Sequence, residues 1–151
     1  MDEFEKYYNH ALRFLSFRPR SEKEIRDNLK KKKVDPLVIE KIIIKLKEQK
    51  FVNDKDFARM WVESRMRFKP RSQRFIILEL KNKGIVQDII DSIIQNNDLE
   101  QAKKLVVKKI EKYQELPKNK LYQKLGSFLA RRGFSWETIK ESIDEVVNKE
   151  V

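Results

Sequence analysis

No cysteine occurs in the chain, so disulfides and thiolate metal sites are excluded, a composition that suits a reducing cytosol. There is one histidine, His10. It leaves no imidazole cluster for a metal and no Cys–His pair for nucleophilic catalysis, and its place beside Tyr7, Leu12 and Phe14 points to a structural or solvated role. Only three glycines and four prolines are present, too few for the many tight turns of a sandwich or barrel. Gly84, Gly126 and Gly133 are too scattered to build a phosphate-cradling loop. No apolar stretch approaches the ~20 residues that span a bilayer. Residues Met1 to Glu5 are acidic with no apolar run behind them, unlike a secretory leader. The expectation is a cytoplasmic protein with no membrane contact, no catalytic residues, no metal and no cofactor. Acid pairs such as Asp54/Asp56 and Asp88/Asp91 fall at helix starts and read as caps.

What the chain does have is charge. Charged residues make up 39% and apolar residues 40% of 151, enough of the latter for a core. Lys, Glu, Leu, Ile and Arg dominate, a mixture that favours helices. The net charge of +11 is spread out: +5 over residues 1–50, +2 over 51–98 and +4 over 99–151. A distributed positive field suits an extended polyanionic partner. Solvated helix faces rich in lysine would give the same composition.

The chain also repeats itself. Arg18-Pro19-Arg20-Ser21 returns 51 residues later as Lys69-Pro70-Arg71-Ser72. At the same offset Leu29 matches Leu80, Val34 matches Ile85, and Ile39, Ile42 and Ile43 match Ile90, Ile93 and Ile94. A third copy lies 49 residues further on: Leu80 to Ile85 becomes Leu129-Ala130-Arg131-Arg132-Gly133-Phe134, and Ile90 and Ile94 map to Ile139 and Ile143. The pattern predicts three tandem units of roughly 45 residues, with boundaries at 1–50, 51–97 and 98–151.

Each unit reads as three helices. In the first, Tyr7, Tyr8, Ala11, Leu12, Phe14 and Leu15 form a helical stripe that Pro19 stops. Ser21 to Glu24 is a capping box opening a helix through Ile25 and Leu29 to about Lys32. Asp35 caps a third helix with Pro36 at its first position, and Val34 and Ile39 are placed for a hydrophobic staple. Phe134, Ser135 and Ile139 repeat this in the last unit. Gly84 and Gly133 stand just past the second helix, where a left-handed cap favours glycine. Lys33 holds that place in the first unit, so either a lysine accepts the strained geometry or that helix ends differently. Units this small have thin cores, so the fold class is all-α, with three three-helix repeats stacked into an elongated, curved array.

The run Ala11-Leu12-Arg13-Phe14-Leu15-Ser16-Phe17-Arg18-Pro19-Arg20-Ser21-Glu22-Lys23-Glu24-Ile25 resembles the opening signature of the RecX family of regulatory proteins. So does Phe51 to Val62 (FVNDKDFARMWV), and Pro70-Arg71 followed by Leu78 to Ile85 (LELKNKGI) fits as well. The resemblance covers residues 7–147 and departs from the family's usual glycine at Lys33 and Lys69. It implies a non-enzymatic monomer that binds the RecA recombinase filament, with single-stranded DNA contacted inside the filament or weakly alone. It implies inhibition of filament extension, ATPase, strand exchange and coprotease activity, in the setting of DNA repair, recombination and the SOS response.

The candidate binding residues are basic. Arg65, Arg67, Lys69, Arg71 and Arg74 form the densest unopposed cluster, straddling the Pro70 turn. Phosphate or an acidic filament surface would be its partner, although cations also gather at helix C-termini for dipole reasons. Arg18 and Arg20 are the equivalents in the first unit. Lys30 and Lys31 close a second helix, and Arg131 and Arg132 do so in the third unit. Phe17 and Phe68, beside the proline turns, are candidates for exposed partner contacts. Trp61 and Trp136 lie on apolar stripes and read as core. Two other functions fit the composition: a general nucleic-acid-binding helical repeat protein, and a structural adaptor whose charge serves solubility.

Overall fold

The computed structural model describes residues 2–149. Among these residues there are nine α-helices, one 3-10 turn and no strand. The helices are α1 (Glu3–Phe17), α2 (Glu22–Lys31), α3 (Pro36–Glu48), α4 (Asp54–Phe68), α5 (Gln73–Asn82), α6 (Gln87–Ile93), α7 (Asp98–Ile110), α8 (Lys118–Arg131) and α9 (Trp136–Lys149). The 3-10 turn, Glu111–Tyr113, extends α7.

Local chemistry sets most boundaries. Asp2 accepts from the Glu5 amide to open α1, and Arg18 is extended at its end, as a residue before proline prefers. The Ser21 hydroxyl accepts from the Glu24 amide while the Glu24 carboxylate accepts from the Ser21 amide, completing the capping box of α2. Asp35 accepts from Leu37 at 2.8 Å with Pro36 in the first turn of α3. Both halves of the two staples, Val34 with Ile39 and Phe134 with Ile139, are buried.

Four helices end by one device. The amides of Val34, Phe51, Ile85 and Phe134 donate to the carbonyls of Leu29, Leu46, Leu80 and Leu129, five residues back. The residue before each has positive φ: Lys33 at 60°, Lys50 at 62°, Gly84 at 81° and Gly133 at 90°. This is the Schellman pattern. Lys33 therefore ends its helix as glycine would, and the left-handed Lys50 is a second such case with no glycine to announce it.

By its packing the chain divides into two compact units, the first running up to Trp61 with Glu79–Ile93, the second comprising Val62–Leu78 and the chain from Ile94 onward. In the first, Ile25, Leu29, Ile42, Ile43 and Leu46 are fully buried with Tyr8 and Ala11. In the second, Val106, Leu125, Leu129 and Ile143 fill the core between α7, α8 and α9. Each such side chain contributes roughly 1.5–3 kcal/mol on burial.

One expectation fails. Trp136 is 73% exposed and not core. It is the first residue of α9, and the buried stripe starts a turn later at Ile139. Trp61 is half-buried and stacks on Phe57 at 5.8 Å.

Candidate interaction surface

The two proline turns are built into junctions between consecutive repeats. In the first compact unit the buried Ser21 hydroxyl donates to the Lys83 carbonyl at 2.7 Å. The Glu22 amide donates to Asp54 at 2.9 Å, so the start of α4 caps α2. A Cβ on Gly84 would lie 2.5 Å from that of Lys23. In the second compact unit the Ser72 amide donates to the Arg132 carbonyl at 2.9 Å. The Gln73 amide donates to Asp98 at 2.8 Å, and a Cβ on Gly133 would lie 2.5 Å from the Phe75 ring. Each glycine is thus required twice, by its positive φ and by close approach.

These junctions absorb several of the candidate cations. Arg18 makes a two-pronged contact with Glu24, and Lys83 reaches the same carboxylate at 3.4 Å. Burial pushes the Glu24 carboxyl up, but the hydrogen bonds from Arg18 and the Ser21 amide and the charges of Arg18 and Lys83 outweigh it, leaving it below its ordinary value. Arg20 lies over the Phe14 ring at 3.8 Å and donates to the Phe14 carbonyl. Burial and the neighbouring Arg18 lower its pKa, against the pull of Glu24. Lys30 and Lys31 are exposed at the far end of α2, about 15 Å along the axis from the turn. The first unit therefore does not bring its four candidate cations into one patch.

The second unit does more gathering. Arg132 donates to the Pro70 carbonyl at 3.0 Å and lies over the Phe128 ring at 4.7 Å. Burial lowers its pKa first, and Arg71 and Arg131 lower it further, which places three guanidinium groups within mutual repulsion. Arg74 donates to the Gly133 carbonyl at 3.4 Å. Arg67, Lys69 and Arg131 are exposed, and Arg65 is half-buried on α4. Phe17 and Phe68 are more than 70% exposed beside their prolines.

The lysines of α7 and of the 3-10 turn behind it are not among the candidates the sequence singled out. Lys108, Lys109 and Lys112 line a cleft of about 340 Å³ with Phe68, Phe128 and Arg132. The signal was present as Lys104, Lys108 and Lys112 spaced four apart, one helical face. Among the described residues no group of three or more His, Cys, Asp or Glu side chains could hold a metal, and no helix is long and apolar enough to cross a membrane.

Comparison with known proteins gives concordant results. Residues 8–46 match the first three-helix domain of RecX, 53–93 the second and 96–143 the third. The chain is 36% identical to the regulatory protein RecX of Listeria welshimeri over 98% of its length, and 35% identical to that of Bacillus subtilis over 96%. It spans 56% of the length of each of these relatives. The crystal structure of RecX from Lactobacillus salivarius superposes with a TM-score of 0.78 at 29% identity, covering 95% of this chain and 96% of that one. With three domain models matched in order and the same fold in a solved relative, the chain belongs to the RecX family of regulatory proteins.

Proposed function

We propose that this protein binds the RecA filament on single-stranded DNA and restrains it, lowering filament extension, ATP hydrolysis, strand exchange and coprotease activity without catalysing a reaction itself. The observation that carries this reading is the ordered match of all three RecX domains on one chain. The net charge of +11 supports it, since a filament wrapped on DNA is a polyanion. Tandem units suit a partner that repeats, because one weak contact raises the local concentration for the next. The exposed Arg67 and Lys69, with Arg71 and Arg131 close by, are the cations proposed to make the contact. Arg18, Arg20 and Arg132 are proposed to shape the surface that presents it, and Lys30 and Lys31 to add outlying charge. The protein is proposed to act as a cytoplasmic monomer with single-stranded DNA as a weak partner of its own.

The test is RecA's DNA-dependent ATP hydrolysis in the presence of the purified protein. The rate should fall as protein is added, with no turnover by the protein alone. An unchanged RecA rate, or intrinsic hydrolysis that persists through repurification, would contradict the proposal.

A further inference from the structure

Two clefts in the second compact unit run into one another. One, of about 480 Å³, lies between Met66 and the α7 residues Lys104 and Val107; the other, of about 340 Å³, lies between Phe68 and Lys112 and ends at Arg132. They share Pro70, Leu105 and Lys108. The result is a furrow with the Pro70 turn on one wall and the row Lys104, Lys108, Lys112 on the other. Like charges four apart weaken a helix, so the row does not serve the stability of α7. The helix dipole accounts for Lys108, in the last turn of α7, but not for Lys104, a turn before it. Lys103, beside the row, contacts Glu145 and Glu100. Glu100, the one acid lining the furrow, is thereby engaged, while Lys104, Lys108 and Lys112 meet no acid among the described residues. The Phe68 ring, 73% exposed, stands at the rim.

We infer that this furrow is a track for single-stranded nucleic acid, with successive backbone phosphates on Lys104, Lys108 and Lys112 and an unstacked base on Phe68. The α-helical step from Lys104 to Lys108 advances about 6 Å, which suits the spacing of phosphates in an extended strand, and Lys112 continues the row in the 3-10 turn that extends α7. An aromatic ring beside a cationic groove is the usual platform for a base, tolerant of sequence. The inference deepens the filament reading and rests on it for its biological setting, but the binding needs no RecA.

The experiment uses fluorescence anisotropy with labelled oligo(dT) and with an abasic strand of equal length, across a salt series and without RecA. The triple variant Lys104→Gln, Lys108→Gln, Lys112→Gln should weaken both strands about tenfold and reduce the salt slope by about 2, at roughly 0.7 per phosphate. Phe68→Ala should weaken oligo(dT) about fivefold or more, leave the abasic strand unaffected and keep the slope. A control triple of exposed lysines, Lys41→Gln, Lys55→Gln, Lys81→Gln, removes the same charge elsewhere. Equal losses in the two triples, or an equal effect of Phe68→Ala on both strands, overturn the inference. If the furrow triple keeps oligonucleotide binding but no longer inhibits RecA, the furrow faces protein; the inference then falls and the filament reading stands. If the wild type binds the strand through these residues yet leaves RecA untouched, the inference stands and the filament reading falls.

Discussion

Lys33 and Gly133 hold the same turn with opposite chemistry. Lys33 takes φ 60° at a place where a Cβ is strained, at a cost of 1–2 kcal/mol for an L-residue. Glycine would relieve that strain but adds freedom to the unfolded chain. Lys33→Gly should therefore stabilise the protein by about 0.5–1 kcal/mol, read from the midpoint of urea unfolding. At Gly133 the strain comes with a collision, because the new methyl would sit 2.5 Å from the Phe75 ring and 2.6 Å from the Ser72 hydroxyl. Gly133→Ala should cost more than 2 kcal/mol, and a neutral result would show that Phe75 and Ser72 give way without cost. These turns were legible because Gly84 and Gly133 mark them and the repeat carries the mark to Lys33. Lys50 was not, since its left-handed φ follows from the way α3 ends and no residue type marks it. Trp136 misled for a related reason: a stripe fixes the buried face of a helix but not the residue at which burial begins.

At the scale of the helix, the least legible feature is that caps cross between repeats. Asp54 reads as a cap of the helix it begins, yet it accepts from the first amide of α2, and Asp98, at the start of α7, accepts likewise from the first amide of α5. Sequence spacing identifies a cap only within its own turn; a carboxylate reaching a neighbour depends on packing. Asp54→Ala should remove about 1 kcal/mol, and Asp54→Asn, which keeps an acceptor, should recover most of it. Burial raises the Asp54 pKa first, against the cap hydrogen bond, so the amide avoids a desolvation cost as well. Glu24 behaves in the opposite sense. Its folded pKa is depressed, so its contribution is present above the ordinary unfolded value of about 4.3 and is lost as pH falls through the folded value. Glu24→Gln should be less stable than wild type at pH 7, and the gap should shrink steadily below pH 4.3 in chemical denaturation. A gap that persists unchanged at pH 2 would show that the Arg18 and Lys83 contacts contribute nothing through charge. The arginines of the first turn illustrate the limit of reading charge alone: Arg18 and Arg20 look like free cations in sequence, and folding gives them Glu24 and the Phe14 ring as partners.

For the whole molecule, the threefold repeat was readable because offsets of 51 and 49 residues carry both the proline turn and the isoleucine stripe. The third repeat keeps the stripe but not the turn: α8 follows Pro117 with no side-chain cap and runs 14 residues, against 10 for α2 and α5. The packing into two compact units was not readable, because the division falls inside α4, after Trp61, and inside α5, after Leu78, and no residue type marks either place. Charge acts at this scale too. Replacing Arg67, Lys69 and Arg71 with Ala should weaken filament inhibition and flatten its salt dependence by roughly 0.7 per lost phosphate contact, with stability changed by about 0.5 kcal/mol or less. Lys45 and Lys47 make a poor control for that variant, since Lys45 covers the Phe4 and Tyr8 rings and Lys47 pairs with Glu22. Lys41, Lys55 and Lys81 are exposed and serve better. The most direct measurement is co-sedimentation of the protein with RecA filaments assembled on single-stranded DNA, beside free RecA and bare DNA at the same salt. Retention on the filament should be well above the sum of the two separate components. Retention no greater than on bare DNA would contradict it and leave a general nucleic-acid-binding protein.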